Sequence, residues 1–104
     1  MKLIVINEVP TEKIENRKGL YQKDIVGTAD VAQHFTFHLS IMEEGGHGQL
    51  HDHPHSEHLL MVVKGELVVK NSQESHTVPV GAAILILPGE KHEIINSYKG
   101  VTEY

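Results

Sequence analysis

Apolar residues along this chain occur in short runs separated by turn signals, and helical periodicity is nearly absent. Residues 3–6 form one such run. Residues 11–18 are the one polar segment long enough for a helical turn, and they lack a sustained apolar face. Residues 33–41 alternate between polar and apolar, which places four apolar side chains on one face of a predicted strand: Phe35, Phe37, Leu39 and Ile41. The first half of the chain therefore predicts strands rather than helices.

The second half of the chain continues this pattern with closely spaced strands. Residues 58–63 and 66–70 flank the turn Lys64-Gly65, which predicts a β-hairpin. Further strands are predicted over residues 76–80, 82–87 and 92–96, and residues 100–104 resemble the start of a last one. Many short strands at this spacing are typical of an all-β sandwich or barrel. We expect the run at residues 3–6 to be a first strand that helps to close the barrel. We also expect a homodimer, which pairs either through sheet faces or through exchange of this strand.

Length and composition fit one domain that covers residues 1–104. The chain is 39% hydrophobic and has no Trp, so aliphatic side chains must fill the core. Its formal charge is −5 without a Lys/Arg cluster, which argues against a nucleic-acid partner. The longest apolar stretch, residues 80–88, is too short to span a bilayer, and no secretory signal is visible. We therefore expect a cytoplasmic protein without a membrane partner.

The candidate chemistry of this chain lies in its histidines. Imidazole is the commonest protein ligand for transition metals, and His-x-His on a strand puts two rings on one face. Five of the nine histidines fall within one short stretch and a sixth follows a Pro-Gly turn: His47, His51, His53, His55, His58 and His92. This pattern predicts most of a divalent-metal site. Ligand type alone does not choose among Mn, Fe, Ni, Cu and Zn. Cys is absent, so no thiolate can serve as a ligand or nucleophile.

Two segments of the chain resemble the two motifs of the cupin family. Residues 45–65, Gly45-x5-His51-x-His53-x4-His58-x6-Gly65, resemble the first motif. Residues 81–96, Gly81-x5-Leu87-x-Gly89-x2-His92-x3-Asn96, resemble the second, with Leu87 where the motif has Pro. The resemblance implies a small all-β barrel, the jelly-roll-like double-stranded β-helix, with a metal inside its wider end.

One position departs from the usual cupin pattern. The motif has a Glu seven residues before the turn glycine, and here His58 occupies that position while Glu57 precedes it. Adjacent strand residues point to opposite faces, so normally only one of the two enters the barrel. The register of the predicted hairpin favours His58, and small cupins with four histidine ligands are known. The resemblance then implies the metal ligands His51, His53, His58 and His92, with Glu57 left as the alternative to His58.

The other polar residues of the His-rich stretch are candidates for supporting roles. Glu57 and His55 are the candidates for proton transfer, although His55 follows Pro54 and is expected at the rim. Asp52 and Glu57 could also accept a hydrogen bond from a ligand's second ring nitrogen. His47 is expected in an exposed loop, and Asn96 is expected to make structural hydrogen bonds.

The resemblance implies a metalloenzyme, of dioxygenase or isomerase type, acting on a small oxygenated molecule or a sugar derivative. Four neutral imidazoles would leave the full +2 charge on the metal and make it a strong Lewis acid. The alternative is a non-catalytic cupin that binds or senses a small ligand. Fold alone does not choose between these two functions.

Overall fold

The structure is a computed structural model that describes residues 1–27, 34–51 and 53–104, with the side chains of residues 49–51 outside the description. Within these residues the chain forms nine β-strands and one short 3-10 helix, Ile6–Glu8, and no α-helix. The strands are β1 (Glu12–Lys13), β2 (Lys18–Val26), β3 (Phe37–His51), β4 (His58–Met61), β5 (Glu66–Lys70), β6 (Ser75–Pro79), β7 (Ala83–Ile86), β8 (His92–Ile95) and β9 (Thr102–Glu103). No helix in the described ranges is long and apolar enough to cross a bilayer.

The strands form two sheets that face each other. In the described part of the chain the larger sheet has seven strands in the order β1-β2-β3-β8-β5-β6, with β9 also paired to β3, and the smaller sheet pairs β4 with β7. The long strand β3 pairs with β9 at Ile41↔Glu103 and farther on with β8 at His47↔Ile95. A bridge between Lys64 and Glu103 joins the end of the β4 segment to β9. All strand pairs are antiparallel. The arrangement confirms the predicted all-β fold.

The core lies between the two sheets and is aliphatic, as the composition predicts. It draws on both sheets: Met42, Val62, Leu67, Val69, Val78, Ile86 and Ile94 are all buried. Burying one such side chain fully contributes about 1.5–3 kcal/mol relative to leaving it in water. Alternate residues of β5 and β8 supply this core, because successive strand residues point to opposite faces.

The predicted first strand at residues 3–6 is wrong. These residues are not in a strand, and Leu3 is 89% exposed. A strand needs a neighbour for its backbone groups, and β1 pairs along β2 instead, at Glu12↔Gln22. Residues 3–6 therefore do not close the barrel within one chain.

The alternation of polar and apolar residues also failed to predict one strand and predicted the wrong start for another. The nine-residue strand β2 was not predicted, because polar residues on both of its faces hide the alternation. The alternating segment at 33–41 becomes a strand only from Phe37, and its first residue lies outside the described residues. Phe35 and Phe37 are 61% and 55% exposed, so they do not join the core.

The predicted hairpin of residues 58–63 and 66–70 is also wrong. β4 pairs with β7 in the small sheet, whereas β5 pairs with β6 and β8 in the large one. The turn between them crosses from one sheet to the other and contains Gly65 at φ 81°. A Cβ at Gly65 would collide with the hydroxyl of Thr102, so only glycine fits where the crossing packs against β9.

A buried amide joins three parts of the chain. The Asn96 side chain is 1% exposed, and its Nδ2 donates to the carbonyls of Met42 (3.0 Å), Glu43 (3.0 Å) and Gly100 (2.9 Å). Its Oδ1 accepts from the Tyr98 N–H at 3.1 Å and from the Thr102 hydroxyl at 2.9 Å. These contacts agree with the structural role that the sequence predicts for Asn96.

Replacing this amide should destabilise the fold strongly. Asn96→Asp keeps the side chain's shape but sets a carboxylate against buried carbonyls, so we expect the free energy of unfolding to fall by about 3 kcal/mol or more at pH 7. Thr102→Val removes one hydroxyl from the same cluster and should cost about 1–2 kcal/mol. Urea denaturation followed by circular dichroism measures both, and equal losses would contradict the central role of Asn96.

Tyr104, which packs partly buried against the core, titrates at alkaline pH. Burial of the Tyr104 phenol raises its pKa to about 12, because the phenolate is poorly solvated there. In the unfolded chain the same group ionises near pH 10.

Tyr104 should therefore cost the protein stability above pH 10. Between the two pKa values the unfolded chain loses a proton that the folded chain keeps, so stability present below pH 10 is lost as the pH rises. At pH 11 this loss is about 1 kcal/mol relative to neutral pH. Urea denaturation of wild type and Tyr104→Phe at pH 9 and pH 11 tests this. The variant should lose less stability over that interval, and an equal loss in both proteins would contradict the assignment.

Candidate functional site

Three of the predicted histidines meet inside the fold at one end of the sheets. The ring centroids of His53 and His58 lie 3.9 Å apart in a stacked arrangement, and those of His53 and His92 lie 5.8 Å apart. His92 is 4% exposed, and His53 and His58 are partly buried. The fold thereby brings His92 into one cluster with two residues that lie far before it in the sequence.

His58 enters the cluster because of the alternation along β4. His58 and Leu60 are partly buried and Val62 is buried, whereas Leu59 and Met61 are 73% and 57% exposed. Pairing with β7 at His58↔Ile86 sets this register, rather than the hairpin that the sequence suggested. Glu57 directly precedes His58, so it belongs to the opposite face of the strand, and it is exposed.

His53 is held by the turn that leads into β8. The N–H of Gly89 donates to the His53 carbonyl at 3.0 Å. The turn itself closes through Glu90 N–H to the Leu87 carbonyl at 3.2 Å, with Gly89 at φ 76°. Proline followed by glycine at the two central positions is typical of a type II turn. The Pro88-Gly89 turn that the sequence indicates before His92 thus also contacts the segment of His53.

His92 is oriented by the backbone of the same turn. Its Nδ1 lies 2.9 Å from the Glu90 carbonyl oxygen, which can only accept, so Nδ1 carries the proton. In a neutral ring the lone pair is then on Nε2. A backbone carbonyl on one ring nitrogen is the usual way in which a metal-binding histidine is held in one tautomer.

The fourth predicted ligand, His51, is described for its backbone alone. It ends β3 and is the Cα partner of His92 in the β3–β8 ladder. Its side chain lies outside the described residues, and so does all of Asp52.

The described side chains do not form a ready-made metal site. In the ranges that the structure describes, no three His, Asp or Glu side chains are grouped to hold an ion. Two imidazoles at right angles on one metal have centroids about 4.5 Å apart, given metal–nitrogen bonds of about 2.1 Å. The His53–His58 separation of 3.9 Å is somewhat shorter, because the two rings stack on each other. The imidazole donors and their inward placement suit a divalent transition metal, whereas the described ring arrangement does not itself hold one.

The remaining predicted site residues lie at the surface. His55 and Glu57 are both exposed in the segment between β3 and β4. His47, expected in a loop, is instead within β3, where its Nε2 lies 2.7 Å from Glu93 Oε2. The hydrogen bond from His47, with a further one from Lys70, holds the pKa of the Glu93 carboxyl below its usual value. Glu93 follows His92 directly in β8, so its side chain points to the opposite face of the strand.

Sequence reasoning missed a cavity beside His92. It has a volume of about 120 Å³, and its walls include Val69, Ile84 and Ile86 together with polar side chains from two turns. Asn71 of the β5–β6 turn and Glu90 of the β7–β8 turn are bonded to each other there at 3.3 Å. The sequence signalled only a polar turn at this position, because it cannot show that the two turns meet.

Comparisons with known proteins agree with this fold. Residues 38–104, well over half of the chain, match the Cupin domain family (Cupin_2). No curated protein matches the sequence. Among solved structures the fold is similar to the polyketide cyclase RemF from Streptomyces resistomycificus, with TM-score 0.88 and 22% identity over 99% of this chain and 75% of that chain.

Two other solved structures are also similar. One is a predicted oxalate decarboxylase from Thermotoga maritima, with TM-score 0.86 and 20% identity over 98% of this chain and 93% of that chain. The other is a sugar phosphate isomerase of the cupin superfamily from Silicibacter pomeroyi, with TM-score 0.81 and 17% identity over 98% of this chain and 71% of that chain. Likeness at these identities concerns the fold. On the family match and this fold together, the chain belongs to the Cupin domain family.

Proposed function

We propose that this chain binds a divalent transition metal through His51, His53, His58 and His92 and acts with it on a small oxygenated molecule. The observation that carries the proposal is the meeting of three imidazoles inside the fold, with His92 held through Nδ1 by the Glu90 carbonyl. The β3–β8 ladder supports the fourth ligand, because it sets the backbone of His51 opposite His92.

His58 rather than Glu57 is the proposed ligand from the start of β4. His58 stacks against His53, whereas Glu57 is exposed on the other parity of the strand. A set of four neutral imidazoles adds no negative charge to the site. A divalent metal held this way would supply Lewis acidity toward a substrate oxygen, or a redox centre for dioxygen if it is Fe, Mn or Cu.

The chain's own residues would bind and orient the substrate. Leu60 and Val62, which point to the same face of the strand as His58, would form the apolar floor of the site. His55 and Glu57 lie at the rim and are the proposed groups for proton transfer between solvent and a bound substrate. Enzymes among the structural neighbours are named as a cyclase, a decarboxylase and an isomerase, and an enzyme of dioxygenase or isomerase type is the function proposed here.

Metal binding should depend on His58 and His92 and not on surface histidines. We expect His58→Ala and His92→Ala each to weaken binding of Zn²⁺ or Ni²⁺ by more than about 100-fold. Replacing a group that only orients a metal ligand already lowers the metal affinity by about 10–100-fold. Isothermal titration of protein made without a His-tag measures the affinities, and elemental analysis identifies the metal retained on purification.

Matched variants make this titration decisive. His76 lies on β6, is exposed and pairs with Glu74 at 3.6 Å, so His76→Ala should change the metal affinity less than twofold. Glu57→Ala tests the alternative ligand and should also have little effect. Weakening by Glu57→Ala without weakening by His58→Ala would overturn the ligand set, and absence of metal binding by the wild type would overturn the proposal.

Substrate assays should separate the reaction types. With the natively retained metal, we expect either oxygen uptake with catechol-like substrates or turnover of keto-sugars without oxygen uptake, and His92→Ala should abolish it. An oxygen electrode and product analysis by mass spectrometry provide the readouts. Saturable binding of such compounds to the metal-loaded protein without any turnover would reject the enzyme and favour the non-catalytic binding function.

A further inference from the structure

A chain of hydrogen bonds connects His92 to a turn on a neighbouring hairpin. Beyond its carbonyl bond to His92, Glu90 uses its carboxylate twice: Oε2 accepts from the Leu87 N–H at 3.1 Å, and Oε1 accepts from Asn71 Nδ2 at 3.3 Å. One carboxylate oxygen thus bonds within the β7–β8 turn, and the other bonds Asn71 in the β5–β6 turn. Both contacts therefore restrain the residue whose carbonyl accepts from His92.

Asn71 is itself held rigidly by its own turn. Its Oδ1 accepts from the N–H groups of Gln73 and Glu74, both at 2.8 Å, and its N–H donates to the Glu74 carbonyl at 3.0 Å. Since Oδ1 is occupied by two donors, the amide cannot flip, and Nδ2 is the atom presented to Glu90. A hydrogen-bonded path therefore runs from the β5–β6 turn through one carboxylate to the ring of His92.

We propose that Asn71 and Glu90 are positioning residues that set the orientation and tautomer of His92 for metal binding. The inference rests on the proposed metal site, and it assigns a role to two residues outside the His-rich stretch. They act through the Glu90 carbonyl, and they form part of the wall of the cavity beside His92.

Two single substitutions break the connecting bond while changing the charge in opposite directions. Asn71→Asp keeps the acceptor for Gln73 and Glu74 but replaces the donor with a second carboxylate oxygen facing Glu90. Glu90→Gln can still accept from Leu87, but its amide then faces the Asn71 amide, donor against donor. The first variant adds a negative charge near the site and the second removes one. A fall in metal affinity in both variants therefore cannot be a charge effect.

The double variant Asn71→Asp/Glu90→Gln restores the bond with reversed polarity. The amide introduced at position 90 donates to the carboxylate introduced at position 71, the Leu87 N–H keeps an acceptor, and the net charge equals that of the wild type. The matched control is Glu74→Gln, which removes the same charge as Glu90→Gln at a carboxylate that pairs with the exposed His76. Circular dichroism and thermal unfolding accompany each variant, and the double variant keeps the test valid if one single variant folds poorly.

Two readouts are measured on every variant. Zn²⁺ affinity by titration should fall about 10-fold in each single variant, the lower end of the loss typical for groups that orient a ligand. It should return to within about threefold of wild type in the double variant and stay within about twofold in Glu74→Gln. In the metal-free protein, long-range ¹H–¹⁵N NMR should show His92 protonated on Nδ1 in the wild type and double variant, and a mixture of tautomers in each single variant.

The two readouts separate this inference from the proposed function. If the wild type binds no metal but the His92 tautomer changes as described, the positioning role stands and the metal site fails. If metal binds tightly and both single variants keep the wild-type tautomer and affinity, the positioning role is overturned. A double variant no better than the single variants would also overturn it.

Discussion

The fold depends most on one buried side chain, Asn96, which holds the stretch of β3 where its pairing with β2 shifts register between Met42 and His47. The Asn96 amide donates to the carbonyls of Met42 and Glu43, and the Asn96 backbone pairs with Gly45 and Gly46. Gly46 has no room for a Cβ there, because Met42 and the Glu43 carbonyl lie against it. Since buried amides and carbonyls are costly to leave unpaired, this contact fixes where β3 leaves β9 and joins β8. The direction of the segment ending at His51 follows from it.

The histidine cluster is built from loops and strand ends that are each fixed by a backbone contact. The Gly89 N–H holds the carbonyl of His53, and the Glu90 carbonyl holds the ring of His92. One turn thus positions two of the three histidines, and strand pairing with β7 positions the third. Separate elements thus hold the three histidines, so the cluster depends on tertiary contacts rather than on one local segment.

The sequence predicted the residues of the candidate site better than the elements that carry them. His53, His58 and His92 do meet, and the inward position that the sequence favours for His58 over Glu57 is the one that the structure shows. The reason given for that position, a hairpin with residues 66–70, was wrong, because the chain crosses between sheets at Gly65. Local alternation determines which residues share a face, but it carries no information on which strand pairs with which.

Three properties were therefore within reach of the sequence alone: the all-β class, the aliphatic core and the choice of His53, His58 and His92, which the fold brings together. They follow from local periodicity, composition and motif spacing, which are properties of neighbouring residues. Only the tertiary structure decided that residues 3–6 lie outside the sheets, that β2 forms from a polar segment, and that Asn71 meets Glu90 beside His92. Each of these depends on which distant backbone groups are left to pair once the two sheets have assembled, and no local pattern contains that information.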